Sequence, residues 1–257
     1  MIDMLPCGAP SMVAPYAPRG RPPGRTGACS VATILLVHGA IADGSSWSEV
    51  IPPLQDAGHT VIAAQLPLSS IDEDLARVRA CLDELDGESV VLVGHSFGGV
   101  VITQAAHHMP GISALVYIAA YAPDEGETAG ALTARAPRLP SAERFEVDRQ
   151  GRFTLPQDLY ARYFCPDADP VRGRVMAAVQ GPSDTERFTF AVGPPGWREH
   201  PTYYVVAGAD QIVHPDLQRL LADRMGAVTT VLDGADHAVM VSRPGAVAEV
   251  ILAAAAA

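Results

Sequence analysis

Residues 94–99 read Gly-His-Ser-Phe-Gly-Gly, which places a serine between glycines in the pattern G-x-S-x-G. An apolar run, residues 89–93, comes immediately before this stretch, and a helix-like segment, residues 100–106, follows at once. A strand, a tight turn and a helix in this order predict a nucleophile elbow, which strains the serine backbone and exposes its hydroxyl. Glycines at positions 94 and 98 remove Cβ atoms that would collide in so tight a turn. We therefore predict that Ser96 is a catalytic nucleophile.

On both sides of this turn, continuous apolar runs alternate with segments of helical spacing. The runs of strand length are residues 31–37, 60–64, 89–93, 113–118, 202–207 and 228–232. The helical segments are residues 46–55, 71–85, 100–106, 215–225 and a last one from about residue 244. Unbroken apolar strands are typical of a sheet buried on both faces. The alternation therefore predicts an α/β fold with a mostly parallel sheet flanked by helices.

Two segments depart from this alternation. Residues 1–29 contain six prolines and few large apolar side chains, so we predict a disordered tail. Residues 123–200 hold many prolines, arginines and aromatics without a clean period, and this stretch is too long for a loop. We predict a helical cap inserted there into a core formed by residues 30–122 and 201–257.

Composition and charge exclude several classes of partner. The formal net charge is −11 and the pI is about 5.1, which disfavours nucleic acid and anionic membrane surfaces. No apolar stretch reaches the roughly 20 residues that a membrane span needs. Asp3 and several prolines interrupt the N-terminus where a signal peptide requires a continuous apolar run. We expect a cytoplasmic protein without nucleic-acid or membrane partners; the sequence carries no signal for its oligomeric state.

The sequence also lacks the motifs of cofactor and metal sites. There is no G-x-x-x-x-G-K-[ST] or G-x-G-x-x-G phosphate cradle and no H-E-x-x-H or comparable ligand cluster. We therefore predict neither a cofactor nor a metal. Without a C-x-x-C pair, the cysteines are expected to be incidental thiols rather than a disulfide framework or a zinc site; they are Cys7, Cys29, Cys81 and Cys165.

A serine nucleophile needs a base and an acid, which follow it in the order serine, acid, histidine in this arrangement. Of the eight histidines, His237 lies just after the last predicted strand, in a loop that can return over the sheet edge. Asp210 follows the strand at 202–207 and can orient an imidazole there. Other carboxylates remain open as the acid, and these are Asp124, Asp233 and Asp236.

The third requirement is a pair of amides that stabilise an oxyanion. Phe97 supplies one backbone N–H because it follows the nucleophile. The second is expected from the loop after the first core strand, where Gly39 allows a sharp turn and Ala40 offers its N–H. His38 is interpreted as a structural residue of that loop. Several aromatic residues are candidates for an apolar substrate pocket or for simple cap packing: Trp47, Phe153, Tyr160, Tyr163, Phe164, Phe188 and Trp197.

With these motifs in place, the chain resembles the α/β-hydrolase superfamily over roughly residues 31–256. Within it, the chain is similar to the branch of small plant methyl-ester esterases and hydroxynitrile lyases and their bacterial relatives. The loop at residues 38–47 and the segments at 215–218 and 224–227 carry this likeness. The resemblance implies a six-stranded parallel core, a lid over the site, and Ser96, Asp210 and His237 as the catalytic triad.

The resemblance leaves the reaction open, because that branch contains both esterases and lyases. Its lyases carry a lysine after the catalytic histidine, where this chain has Ala238 and contains no lysine anywhere. They also place a larger or hydroxyl-bearing residue where this chain has Ala40. Both departures favour a serine hydrolase that cleaves a small carboxylic ester. Two alternatives remain, namely an acyltransferase or cyclase with the same triad, and a ligand-binding protein with slow turnover on this scaffold.

Overall fold

A six-stranded parallel sheet forms the centre of the molecule. The structure is a computed structural model and describes residues 31–85 and 87–257; the predicted tail at 1–29 lies outside the described residues. Each strand of this sheet is short, and the middle strands of the sheet are buried on both faces. In chain order the sheet strands are β1 (Thr33–Val37), β2 (Thr60–Ala64), β3 (Val90–His95), β4 (Ile112–Ile118), and, after an insertion, Thr202–Ala207 and Val228–Leu232.

The insertion between β4 and the fifth sheet strand contains short helices and three short strands of its own. The strands are β5 (Glu146–Val147), β6 (Arg152–Thr154) and β7 (Ser183–Asp184), which pair as a small antiparallel sheet. The last two strands of the central sheet are therefore β8 (Thr202–Ala207) and β9 (Val228–Leu232). The segment predicted as a helical cap, residues 123–200, thus has mixed secondary structure; its paired strands are only two or three residues long and leave no readable period.

Strand order fixes where a site can form. The central sheet runs β2-β1-β3-β4-β8-β9, and all neighbouring pairs are parallel. The chain therefore leaves β1 toward one edge and β3 toward the other, although these two strands are neighbours. Ligands bind beyond the carboxyl ends of strands at such a switch point. The loop after β1 and the turn after β3 both lie there.

Helices cover both the sheet and the strand ends. In the core, α2 (Ile71–Glu84) packs against α3 (Gly98–Ala105), and α9 (Pro244–Ala255) packs against α1 (Ile51–Asp56) and the central strands. Proline explains one difference from the predicted helix at 46–55: Pro52 and Pro53 stand in the first turn of α1, where missing N–H groups are tolerated, so a 3-10 turn (Gly44–Trp47) precedes it. The helices are α1 (Ile51–Asp56), α2 (Ile71–Glu84), α3 (Gly98–Ala105), α4 (Ala129–Thr133), α5 (Gln157–Tyr163), α6 (Pro170–Val179), α7 (Pro215–Met225), α8 (Val239–Ser242) and α9 (Pro244–Ala255).

The predicted fold class is confirmed, and several predicted bounds agree with the structure. The ranges predicted for β2, β8, β9 and α7 are those observed. Cys81 and Cys165 are buried free thiols, whereas Cys7 and Cys29 lie outside the described residues. Within the described ranges, no helix is both long and apolar enough to cross a membrane.

Candidate active site

The turn after β3 has the geometry of a nucleophile elbow. Ser96 has a φ of +53°, a left-handed conformation that is unusual for a serine and costs of order 1–3 kcal/mol. Its N–H donates to the Ile118 carbonyl oxygen over 3.1 Å, and its carbonyl oxygen accepts from the N–H groups of Gly99 and Tyr121, each over 3.1 Å. The surrounding main chain thus holds the strained residue from both sides.

Close packing explains the glycines of the elbow. A Cβ atom on Gly94 would lie 2.8 Å from the Gly98 carbonyl oxygen, and one on Gly98 would lie 2.6 Å from the Val37 carbonyl oxygen. Ser96 itself is only 6% exposed, although the sequence predicts an exposed hydroxyl. The difference arises because cap residues pack over the end of β3, as Phe188 does on the ring of Phe97.

The structure brings His237 and Asp210 together. His237 Nδ1 lies 2.7 Å from Asp210 Oδ2, and both side chains are fully buried. Because a carboxylate accepts hydrogen bonds, this contact places the imidazole proton on Nδ1 and leaves a lone pair on Nε2. His237 Nε2 is buried and has no hydrogen-bond partner within the described residues. A buried, unpaired ring nitrogen of this tautomer is suited to accept a proton.

Of the four candidate acids, only Asp210 binds the imidazole of His237. Asp124 forms an ion pair with Arg198 at 2.6 Å. Asp236 faces away from the imidazole, and its carboxylate accepts hydrogen bonds from the Asp167 N–H over 2.9 Å and the Ser242 hydroxyl over 2.8 Å. For Asp233 the structure shows no side-chain hydrogen bond to His237.

Asp210 is held by a set of donors that includes one residue missed by sequence reasoning. Its Oδ1 accepts from the N–H groups of Ile212 and Val213 over 2.7 and 2.9 Å. Its Oδ2 accepts from Gln218 Nε2 over 2.7 Å, and Gln218 Oε1 in turn accepts from the Ala207 N–H over 2.9 Å. The available signal is a glutamine on the buried face of α7, a position where an apolar residue is expected.

The loop after β1 contacts Ser96. A Cβ atom on Gly39 would lie 2.7 Å from Ser96 Cβ and 3.2 Å from its Oγ. The backbone N–H groups of Ala40 and Phe97 form no hydrogen bond within residues 31–85 and 87–257, although both residues are buried. Because buried amides are nearly always paired in proteins, two free ones next to a serine are suited to bind an anion.

His38 stabilises the same loop through hydrogen bonds of both ring nitrogens. The Leu66 N–H donates to His38 Nε2 over 3.0 Å, so Nδ1 carries the proton and donates to the Gly39 carbonyl oxygen over 2.8 Å. Burial lowers the pKa of His38, which keeps the ring neutral. These contacts are those of a structural residue.

His95 is a second residue that sequence reasoning missed, although it lies inside the G-x-S-x-G motif. Its Nε2–H donates a hydrogen bond to the His237 carbonyl oxygen over 2.9 Å. The two imidazole rings are 4.6 Å apart. Burial, followed by the proximity of His237, holds the pKa of His95 well below its usual value. A neutral His95 therefore fixes the main chain of the loop that carries His237.

Aromatic residues of the cap divide into two groups. Phe188 packs against Phe97, Phe153 and Tyr121 with ring centroids 5.4, 5.5 and 6.4 Å apart, so this group covers the elbow. Phe164 packs edge-on against His237 at 4.8 Å. The remaining predicted aromatics serve other contacts, as Tyr160 does by donating from its hydroxyl to the Ile41 carbonyl oxygen and Trp197 by donating to that of Pro123.

A buried ion pair fastens the cap to the core beside Phe97. Arg187 Nη1 lies 3.0 Å from Asp74 Oδ2, and both side chains are fully buried. The guanidinium also donates to the carbonyl oxygens of Leu68 and Asp184 over 2.7 and 3.0 Å. Its carbon lies 5.1 Å from the ring centroid of Phe97. Burial raises the pKa of Asp74 and lowers that of Arg187, while each charge opposes the shift of the other.

A cavity of about 370 Å³ lies beside Tyr121 and Ile212. Its lining is mostly apolar and comes from α4, residues 134–142 and the loop after Asp210. Tyr121 and Ile212 line it, and they are the residues whose N–H groups donate to the Ser96 carbonyl oxygen and to Asp210 Oδ1. Burial raises the pKa of Tyr121 to about 12, so its hydroxyl stays neutral. Among the described residues, Ser96, Asp210 and His237 do not themselves line this cavity.

Comparison with known proteins is consistent with this geometry. A family model described as the alpha/beta hydrolase family matches residues 34–250, a range that contains the elbow, Asp210 and His237. The chain belongs to the alpha/beta hydrolase family.

Relatives of this hydrolase include esterases and a lyase. An alpha-hydroxynitrile lyase of Arabidopsis thaliana is 28% identical over 82% of this chain and 92% of its own length. Methylesterase 2 of the same plant is 26% identical over 85% of this chain and 94% of its own. A crystal structure of a pyrethroid hydrolase superposes with a TM-score of 0.74 at 24% identity, covering 89% of this chain and 99% of that one. The predicted resemblance to the branch of esterases and hydroxynitrile lyases is thereby confirmed.

Replacing Gln218 in this hydrolase is expected to slow turnover without changing substrate affinity. A Gln218→Met variant keeps the side-chain volume but removes one donor from Asp210 and the acceptor of the Ala207 N–H. We expect kcat to fall about 10- to 100-fold with KM unchanged, because a hydrogen bond to a charged group contributes about 1.5–3 kcal/mol. Steady-state kinetics on an ester substrate provide the measurement.

The matched control is Gln180→Met, which removes a glutamine bonded to the main chain of Leu155 and not to the acid. That variant should keep its kcat. An equal loss of kcat in both variants would show that Gln218 acts only through general stability.

Two of the buried histidines, His38 and His95, are expected to make the hydrolase less stable in mild acid. Because the pKa values of His38 and His95 are lowered in the folded state, the unfolded chain binds more protons than the folded one below about pH 6.5. Stability therefore falls as the pH falls, by at most about 1.4 kcal/mol per pH unit for each histidine. Urea unfolding between pH 7.5 and 5.5 measures this slope.

A His95→Gln variant keeps a donor for the His237 carbonyl oxygen but does not titrate. It should show a shallower slope than the wild type, and adding His38→Gln should reduce the slope again. Parallel pH dependences of all three proteins would contradict the assignment of neutral, buried histidines.

Proposed function

We propose that the protein is a serine hydrolase that cleaves a small carboxylic ester through an acyl-enzyme intermediate. The observation that carries this proposal is the buried imidazole of His237, which donates from Nδ1 to Asp210 and has a free lone pair on Nε2. The main chain of His237 is bonded to His95, the residue before the strained Ser96. The N–H groups of Ala40 and Phe97 are unpaired within the described residues. The esterase relatives support the same reaction class.

The proposed reaction begins when His237 Nε2 accepts the hydroxyl proton of Ser96 and Oγ attacks the ester carbonyl carbon. Negative charge moves to the carbonyl oxygen, where the Ala40 and Phe97 N–H groups stabilise it. Asp210 keeps the imidazole in one tautomer and stabilises its positive charge. The imidazolium then gives its proton to the leaving alcohol as the carbon–oxygen bond breaks. Water repeats these steps and releases the carboxylic acid from Ser96.

The first proton transfer of this reaction needs a contact between the Ser96 hydroxyl and His237. In the structure no hydrogen bond joins Ser96 Oγ to His237 Nε2 within the described residues. Such contacts are often longer in the free enzyme than in the reacting complex. The loop that carries His237 is fixed independently of Ser96, since His95 binds its carbonyl oxygen and the Ala238 N–H donates to Phe164. We therefore propose that the contact between Ser96 Oγ and His237 Nε2 tightens when substrate binds.

Position 238 favours ester hydrolysis over cyanohydrin cleavage. Ala238 is fully buried directly after His237, and the chain has no lysine to stabilise a departing cyanide. The rings of Phe188 and Phe164 pack against Phe97 and His237, and such apolar surroundings suit the uncharged alkyl or aryl part of an ester. We therefore propose small, neutral esters as the substrate class.

The test uses purified full-length protein in three assays, which contain an ester alone, an ester with an added acceptor, or mandelonitrile. We expect turnover of p-nitrophenyl acetate, butyrate and octanoate, with free carboxylic acid as the product even when an alcohol or amine acceptor is added. Mandelonitrile should release no cyanide. Transfer of the acyl group to the acceptor would indicate an acyltransferase, and cyanide release would indicate a lyase. Stoichiometric retention of ligand without product would indicate a binding protein.

A further inference from the structure

A second cluster of titratable side chains lies at the opposite end of α3 from Ser96. His107 and His108 follow the last turn of this helix, and Glu199 is carried by the 3-10 turn (Gly196–Arg198) before β8. Glu199 Oε1 lies 2.5 Å from His107 Nδ1 and 3.4 Å from His108 Nδ1. One ligand atom from each of the three residues lies within 4.8 Å of the others. The centroids of the two imidazole rings are 3.8 Å apart, so one ion can reach both nitrogens and the oxygen once a ring turns.

The cluster is fixed by contacts that do not involve its converging atoms. Glu199 Oε2 accepts from the His108 N–H over 2.9 Å, which leaves Oε1 facing the two rings. The supporting turn is anchored by Trp197, whose indole N–H donates to the Pro123 carbonyl oxygen over 2.9 Å. His200 Nε2 lies 3.2 Å from the Ala106 carbonyl oxygen. The carboxylate therefore keeps its place when the proton between Oε1 and His107 is lost.

We propose that His107, His108 and Glu199 bind a divalent transition cation, Zn²⁺ in the first instance. Two imidazole nitrogens and one carboxylate oxygen form a ligand set that zinc accepts, with remaining positions open to solvent. Mg²⁺ and Ca²⁺ prefer oxygen ligands alone. The cation takes the place of the proton shared by His107 and Glu199. It also lies at the C-terminus of α3, where the helix dipole favours positive charge.

The required adjustment is small. Ligands about 2.0–2.1 Å from a tetrahedral zinc ion are roughly 3.3 Å apart, so the 2.5 Å contact between His107 and Glu199 must widen by under 1 Å. His108 is already at 3.4 Å, and its side chain is 80% exposed and free to turn. The nearest cationic side chain on the turn, Arg198, is paired with Asp124 at 2.6 Å, which reduces its repulsion of an ion.

Calorimetric titration of the full-length protein with ZnCl₂ after EDTA treatment and desalting tests this proposal. The wild type should bind Zn²⁺ at one site that a His108→Ala variant lacks or binds at least tenfold more weakly. Binding should weaken between pH 7.5 and 5.5, because protons compete for the imidazole nitrogens. CaCl₂ should give no heat of binding. Cys7 and Cys29 are present in both proteins, so any zinc held by those thiols cancels in the comparison.

Two controls keep the result interpretable. The melting temperatures of both proteins in EDTA should agree, which shows that His108→Ala is folded. A His59→Ala variant, altered in the turn between α1 and β2, should bind Zn²⁺ like the wild type. Equal zinc affinity in the wild type and His108→Ala, or no binding to the wild type at millimolar ZnCl₂, would overturn the proposal. Esterase activity is expected to be the same in all three proteins.

Discussion

A Ser96→Ala variant is expected to lose about 10⁴- to 10⁶-fold in kcat, because the members of a triad act as a unit and the remaining groups retain only weak catalysis. Alanine removes a single oxygen from a side chain that makes no hydrogen bond within the described residues. The substitution leaves the backbone contacts of the elbow in place. Steady-state hydrolysis of p-nitrophenyl butyrate, with enzyme concentrations high enough to detect slow turnover, provides the measurement.

The fold of the variant has to be shown separately. Its melting temperature should lie within a few degrees of the wild type, since the surface exposed on unfolding is nearly unchanged. Thr103→Ala is a suitable control, because it removes a buried hydroxyl from α3 rather than from the elbow. The Thr103 hydroxyl bonds to that of Tyr117. That variant should keep most of its kcat. Unchanged turnover in Ser96→Ala would contradict the proposed mechanism.

An Arg187→Met variant is expected to lose about 3–5 kcal/mol of unfolding free energy. Methionine fills the space of the arginine stem, but Asp74 then remains buried without its partner, and an uncompensated buried charge is strongly unfavourable. For a chain of this size, such a loss lowers the melting temperature by roughly 6–20 °C. Urea unfolding at pH 7.5 measures the free energy directly.

Two further variants separate the ion pair from simple packing. The double variant Arg187→Met with Asp74→Leu should recover most of the lost stability, since apolar replacements of buried pairs are often neutral or stabilising. Arg152→Met breaks an exposed pair, Arg152 with Asp148, and should lose at most about 1 kcal/mol. If Arg187→Met and Arg152→Met lost the same small amount, the pair would not be a clamp between cap and core.

Much of the fold follows from local sequence because the sheet strands are mostly apolar and, apart from the connection from β2 to β3, consecutive strands of the central sheet are parallel neighbours. The runs at 60–64, 202–207 and 228–232 coincide with β2, β8 and β9 for this reason. The elbow was equally accessible, since strand, turn and helix are consecutive in the chain. The branch of relatives could also be predicted, because its motifs lie in loops next to these strands.

The residues missed are those whose role depends on distant partners. Gln218 is one polar residue on an otherwise apolar helix face. Its contact with Asp210 forms only once the chain is folded. Glu199 meets His107 across 92 residues, so no local spacing indicates the cluster. The cap is a similar case: its short strands pair only in the folded state, and residues 123–200 therefore read as helical.

The most direct test of the central claim is covalent labelling of the full-length protein with a fluorophosphonate, followed by intact mass and peptide mapping. We expect one adduct per chain, located on Ser96, together with loss of esterase activity in proportion to labelling. The Ser96→Ala variant should remain unlabelled. Esterase activity that survives complete labelling of Ser96, or an inactivating adduct on another residue, would contradict the assignment of Ser96 as the nucleophile.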